Sequence, residues 1–203
     1  MGSARANADA REAFACDTMH IVEATSADTP AALDVERHAF GRDDEATLVA
    51  ALLRDPTARP CLSLLAWDGG QAVGHALFTH ASLTGADPGR GGARGAHQVR
   101  AAILAPLAVV PAAQRRGVGR ALIEAGAARL AAAGVQLLFV LGDPAYYTRC
   151  GFGPALPHGL HAPYPIEPAA AWRVRALAPG VLDAVQGSVA CAESMAAPEY
   201  WRE

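Results

Sequence analysis

The spacing of apolar residues changes along the chain, and the clearest change falls between residues 101 and 141. Ala101 to Ala113 is an apolar run, rich in β-branched residues toward its end and bounded by Arg100 and Gln114, which predicts a strand. A polar turn follows, Gln114-Arg115-Arg116-Gly117-Val118-Gly119. From Val118 to Ala133 the pattern is helical, with Val118, Leu122, Ala125, Ala128 or Arg129, and Ala132 as the inward stripe and Gly134 as the stop. Val135 to Leu141 is almost continuously apolar, as in a strand covered on both faces. This strand–helix–strand unit is a parallel crossover, right-handed by the general rule. Pro106 interrupts the first strand, and because proline cannot donate to a ladder, a bulge or local splay is predicted there.

The flanking regions yield further elements. Met19 to Glu23 alternates like a strand, and Ser26 to Pro30 supplies capping side chains for a helix carrying Ala31, Leu33, Val35 and Phe40. A second helix is predicted over Asp44–Arg54, with Asp43, Asp44 and Glu45 at its positive end. Leu62–Trp67 and Ala72–Leu83 flank Asp68-Gly69-Gly70 as a hairpin. His75 and His80 lie on it with opposite parity and cannot share a face without a bulge. Thr84–Ala96 is a Gly/Pro/Arg-rich excursion. Asp143-Pro144 caps a short helix that ends at Gly151. Five prolines between Pro154 and Pro168 forbid helix, and Trp172–Leu177 reads as a last strand. The division expected is a loose tail over 1–18, one domain over 19–178, and an extension over 179–203 packed on it.

The turn carries candidate chemistry. A helix N-terminus presents unpaired amides and a partial positive charge, and Gly117 and Gly119 have no side chain to keep a pyrophosphate off them. Arg115, Arg116 and Arg120 add charge. A glycine turn of this length is by itself weak evidence, because tight turns before helices are common. A dinucleotide-binding reading needs a small residue where Leu122 stands, and its acidic partner falls on Asp143, which Pro144 marks as a helix cap.

The wider wording is more specific. Leu107-Ala108-Val109, Pro111 and Gln114-x-x-Gly117-x-Gly119 resemble the acetyl-CoA signature of the GNAT-type N-acetyltransferase superfamily, and Tyr146-Tyr147-Thr148-Arg149-Cys150-Gly151-Phe152 resembles its short helix ending in Gly-Phe. The resemblance spans roughly Ile21 to Leu177, and its flavour is that of a bacterial subgroup of predicted N-acetyltransferases. It implies an α/β fold with a mixed central sheet of about seven strands flanked by helices, in which parallel strands 4 and 5 splay apart to admit the pantetheine arm. It also implies acetyl-CoA as cosubstrate, bound by Leu107, Ala108, Val109, the Gln114–Arg120 turn and Tyr146. Tyr147, four residues before Gly151, matches the general acid. Many relatives carry a glutamate base on strand 4, and counting back from Gln114 places Ile103 there. The base is then Glu36, a histidine or another residue through water, unless the amine arrives neutral. A non-catalytic acyl-CoA-binding module is the alternative.

Composition narrows the partners. The 203 residues are 52% hydrophobic with a formal net charge of −3, and all 17 basic residues are Arg. The absence of Lys excludes Schiff-base chemistry and the Lys-containing phosphate loop. Neither nucleic acid nor a membrane is expected as partner, the acceptor expected is an amine-bearing small molecule or peptide, and a homodimer is left open. Cys16, Cys61, Cys150 and Cys191 show no metal-ligand spacing and read as reduced thiols of a cytoplasmic protein, without a metal. Glu36, His38 and the nearby acids read as a solvated helix face.

Overall fold

The computed structural model describes residues 19–84 and 99–201. The N-terminal tail with Cys16, and all of the Thr84–Ala96 excursion beyond Thr84, lie outside the described residues.

Strand β1 (His20–Glu23) leads to α1 (Thr29–Phe40), entered through a capping box between Thr25 and Asp28 with Pro30 in its first turn. Helix α2 (Asp44–Leu52) follows, ending two residues before the predicted limit. Strands β2 (Leu62–Asp68) and β3 (Gln71–Thr84) form the expected hairpin, and β4 (Ala101–Val109), α3 (Val118–Ala132) and β5 (Leu137–Leu141) form the parallel unit. Next come α4 (Pro144–Thr148), β6 (Gly153–Pro154), β7 (Leu160–His161), β8 (Trp172–Ala176), α5 (Val181–Ala184) and β9 (Gly187–Ala190). The sheet runs β1-β2-β3-β4-β5-β8-β6, with β9 on β3 and β7 on β9. Nine strands therefore replace about seven, because the proline-rich loop and the tail each contribute short strands with no periodic signal.

Two irregularities place the site. Between β3 and β4, Ala76 pairs with Leu107 and Phe78 with Leu104, so Ala105 and Pro106 stand opposite Leu77 alone. This is the predicted bulge at Pro106. Between β4 and β5, parallel pairing stops at Ile103 with Phe139, although β4 continues to Val109. The two strands therefore part beyond Ile103.

Both faces of the sheet are covered, which accounts for the unbroken apolar wording of β5. On one face α3 packs Leu122, Ile123 and Ala127 against Leu64, Phe78, Leu104 and Leu138. Its buried residues are Val118, Gly119, Leu122, Ile123, Gly126 and Ala127, whereas Ala128 and Ala132 are exposed. The inner stripe thus takes in Gly126, pressed on Phe78 of the sheet, and Gly119, covered by Tyr146, and not the alanines that the pattern alone selects. On the other face α1 packs Ala32 and Val35 on Leu65 and Ala108. There α2 joins Leu77, Ile103 and Phe139 to a C-terminal segment that brings Val189, Met195 and Trp201. Phe139 stacks on Trp172 at 5.2 Å, and Trp172 meets Trp201 at 5.8 Å. Asp55 accepts hydrogen bonds from the backbone N–H and the hydroxyl of Ser194, at 2.8 and 2.7 Å.

Candidate active site

The backbone of β4 dictates what faces the gap. In an antiparallel ladder, alternate residues turn both their N–H and C=O toward the neighbour. Val110 N–H bonds Val73 O at 3.0 Å, and His75 and Ala108 are the pair two steps on. Ala108 therefore commits its backbone to β3, while Leu107 and Val109 turn theirs toward the side where β5 has left. The resemblance names Leu107, Ala108 and Val109 together, and the ladder gives the gap-facing backbone groups to Leu107 and Val109. The Val109 carbonyl is taken up by the Gln114 side chain, whose Nε2 donates to it at 3.0 Å. Gln114 thereby folds the turn back on the strand.

The turn itself is open. Gln114 to Gly117 are exposed, and Gly117 caps α3 with φ 86°, a left-handed conformation that suits glycine. A Cβ there would meet nothing within 4 Å, so the space above the first amides of α3 is free for a ligand. Arg115 also has positive φ, at 60°. A cavity of about 650 Å³ opens on this turn. Leu107, Ala108 and Val109 form one wall, and Gln114, Arg115, Gly117, Val118, Gly119 and Arg120 form the turn. Of the residues expected to bind the cosubstrate, Arg116 alone does not line it. Its guanidinium binds Asp68 at 2.8 Å and ties the turn to the β2–β3 hairpin.

Helix α4 brings both tyrosines to the same cavity. Asp143 accepts a hydrogen bond from Ala145 N–H at 2.8 Å, which starts the helix where the sequence placed it. The Tyr146 hydroxyl lies so close over Gly119 that a Cβ there would collide with it. The Tyr147 ring packs on Gly142, where a Cβ would come within 2.5 Å of the ring, and meets Phe152 edge-on at 5.6 Å. Burial first, then the neighbouring Cys150, push the Tyr146 hydroxyl above the ordinary phenol range, so it remains a neutral donor. Cys150 also lines the cavity, and burial raises its thiol as well, the opposite of what an activated nucleophile needs. Cys191 is pushed up to about 12 by burial. Arg115, Arg120 and Arg149 make the lining cationic, suited to an anionic ligand of several phosphates.

One expectation changes. Glu36 is not part of a solvated helix face but is fully buried, with His75 Nδ1 at 2.5 Å from its Oε1. Pattern reading missed it because its partner lies 39 residues away. Ile103, at the position of the relatives' base, is buried in the core beside Leu77 and Phe139. His38 remains exposed, with Nδ1 at 2.7 Å from the Asp34 carbonyl. Among the described residues no group of three or more His, Cys, Asp or Glu could hold a metal ion, and no helix is long and apolar enough to cross a membrane.

Comparison with known proteins agrees with this geometry. The chain is 43% identical over 179 residues to the uncharacterized N-acetyltransferase YjhQ of Escherichia coli K12, covering 87% of this chain and 92% of that protein. It is 33% identical over 163 residues to the uncharacterized N-acetyltransferase YhbS of the same strain, covering 80% and 89%. The crystal structure of E. coli YhbS in complex with CoA superposes with a TM-score of 0.77 at 30% identity, covering 89% of this chain and 93% of that one. A GNAT family acetyltransferase from Brucella melitensis in complex with acetyl-CoA superposes with a TM-score of 0.65 at 29% identity, covering 89% and 99%. The model of the acetyltransferase (GNAT) family matches residues 20–152, from β1 to the Gly-Phe that closes α4. The splayed strands, the open glycine turn and the paired tyrosines thus lie in a chain that belongs to the acetyltransferase (GNAT) family.

Proposed function

We propose that the protein transfers the acetyl group of acetyl-CoA to a primary amine of a small molecule or peptide by direct attack, as a cytoplasmic enzyme. The observation that carries this reading is the parting of β4 from β5 beyond Ile103, directly beside an α3 N-terminus with open space over Gly117.

The residues present fit the ligand. The amides at Gly117, Val118 and Gly119 suit a pyrophosphate, with Arg115 and Arg120 supplying charge. Arg116 keeps the turn in place through Asp68. The outward backbone groups of Leu107 and the outward N–H of Val109 suit the amides of a pantetheine arm, which pairs there like an added strand. The ligand brings an acetyl thioester, whose carbonyl carbon is the electrophile. An N–H from β4 directed at the carbonyl oxygen stabilises the charge that grows there. The hydroxyl of Tyr147, an ordinary phenol being near ~10 against ~8.5 for a thiol, supplies the proton that sulfur needs on leaving. Tyr146, seated on Gly119, packs against the same ligand.

A non-catalytic acyl-CoA-binding module of the same fold is the second reading, favoured by the apolar residue at position 103. Two tyrosines directed into the cavity speak for catalysis. Thermal-shift titration with acetyl-CoA and with NAD, followed by turnover on a panel of amines and peptides, decides. Stabilisation by acetyl-CoA with thiol release on at least one amine is the expected result. Binding without turnover on any acceptor would leave the module, and stabilisation by NAD alone would overturn both.

A further inference from the structure

Acetyl transfer from an amine that arrives protonated needs an acceptor for its proton. Among the described residues that line the cavity there is no Asp, Glu or His, and Ile103 is buried and apolar. On the opposite side of the sheet from α3, three polar side chains form a chain of hydrogen bonds under α1. Ser63 Oγ lies 3.0 Å from His75 Nε2, and His75 Nδ1 lies 2.5 Å from Glu36 Oε1. Glu36 and His75 are 0% exposed and Ser63 is 8%. With a neutral ring, the Ser63 hydroxyl donates to Nε2 and Nδ1–H donates to the carboxylate. The chain ends at Glu36 Oε2, which is buried without a hydrogen-bond partner.

A buried carboxylate with one bare oxygen is costly, and an apolar side chain would fasten α1 to the sheet as well or better. Its place in the fold suggests why such a group is useful. Ala39 and Phe40, three and four residues beyond Glu36, line the cavity, which is about 5 to 6 Å along a helix axis. His75 is the ladder partner of Ala108, which lines it as well. The pair therefore lies beneath residues that line the cavity, on the face of the sheet away from the cationic turn.

We infer that Glu36, held by His75, accepts the proton that the amine loses, the proton reaching Oε2 through water entering beside Ala39 and Phe40. This rests on the acetyl-transfer reading above. The ammonium gives one proton to Glu36, its nitrogen lone pair forms the C–N bond, and the C–S bond breaks. Sulfur takes its proton from Tyr147, which regains one from the nitrogen through solvent, and Glu36 releases its own to solvent. One proton is released per turnover. His75 from β3 and Glu45 from α2 are the titratable groups that act on Glu36, and Ser63 from β2 holds the far nitrogen of His75. Burial pushes its carboxyl up, Glu45 adds to this, and the His75 hydrogen bond opposes it. A raised carboxyl is better matched to taking a proton near neutral pH.

The test is Glu36→Gln, which keeps the shape and the oxygen that receives Nδ1–H. Expected are a fall in kcat/KM for the acceptor of about 10²-fold or more, loss of the low-pH limb of its pH profile, and unchanged acetyl-CoA affinity and melting temperature. In the wild-type protein, the glutamate carboxyl carbon-13 resonance absent from Glu36→Gln should titrate above the ordinary glutamate value of ~4.3. A variant that keeps wild-type turnover, or that loses turnover with the pH profile intact, overturns the inference, as does an ordinary or lowered titration. A wild-type protein silent on every amine instead overturns the acetyl-transfer reading.

Discussion

The seat of α3 on the sheet gives a prediction whose size follows from the packing. Gly126 faces Phe78, and a Cβ built there falls inside the ring's contact surface, with even the third-nearest ring carbon only 2.8 Å away. Carbon atoms in contact sit about 3.5–4.0 Å apart, so Gly126→Ala must open the helix–sheet spacing or turn the ring by roughly 1 Å or more. Phe78 is fully buried among Leu64, Leu104, Ile123 and Leu138 and has nowhere to go. Overpacking of this kind costs ~1–3 kcal/mol, and a clash this close belongs in the upper half of that range. The alanine returns about 1 kcal/mol of helix propensity. The net loss is ~1–2 kcal/mol, about 2–8 °C in melting temperature for a chain of this size. Because α3 carries Gly117 and Gly119 at its start, the same displacement should weaken acetyl-CoA binding. Urea denaturation and calorimetric titration of Gly126→Ala, Phe78→Leu and the double variant form a cycle in which Phe78→Leu relieves the alanine. A Gly126→Ala protein as stable as wild type, or additive losses in the double variant, would refute the argument from packing.

Three further outcomes are expected. Tyr147→Phe should lower kcat by ~10²-fold or more when departure of the thiolate limits the rate, with acetyl-CoA affinity kept, whereas Tyr146→Phe should lower it much less; steady-state kinetics with one acceptor compares them, and the reverse order means that Tyr146 is the proton donor. Gly117→Val should be folded but unable to bind acetyl-CoA in calorimetric titration, because a side chain fills the space above the turn amides and a left-handed conformation costs a non-glycine residue ~1–2 kcal/mol; normal affinity would move the anion site elsewhere. Asp55, held below the ordinary carboxylate range by hydrogen bonds from Thr57 and Ser194, has a folded-state pKa lower than its unfolded one, so its contribution is full above the ordinary value and fades as pH falls toward its own. Asp55→Asn should therefore melt earlier than wild type at neutral pH and converge with it in acid, and a gap independent of pH would show that the carboxylate charge is irrelevant.

The half of the site that suits the cosubstrate was legible because it is contiguous. Pro106 announced the bulge that re-registers β4, Gly117 and Gly119 announced the open helix start, and Asp143-Pro144 announced α4, each through a local rule about φ, donors or caps. What local rules could not supply was the direction of individual backbone groups. The bulge shifts the β3–β4 register by one residue, so only the observed ladder assigns Ala108 to His75 and leaves Leu107 and Val109 facing the gap. Apolar patterning also failed on α3. It scores alanine as core and glycine as neutral, while here Gly126 is the point of closest approach and Ala128 faces solvent.

The opposite half is built from side chains on elements that the sequence keeps far apart, and so no local rule joins them. On α1, Glu36 stands four residues after Ala32 and three before Ala39, in phase with the inward stripe, but a lone acid there names no partner. On β3, parity separated His75 from His80 without saying which face was buried. Both facts acquire meaning only when α1 crosses β3 and removes the carboxylate and the imidazole from water together. The chemistry needs this difference between the halves. A pyrophosphate is met by backbone amides, which every strand–turn–helix unit possesses and glycine merely uncovers. A proton acceptor needs a raised carboxyl, and burial deep enough to raise one comes from tertiary packing. Relatives that share the turn can therefore differ in the residue that takes the proton, and here the carboxylate inferred to take it is buried on α1 while strand β4 carries Ile103 in the core.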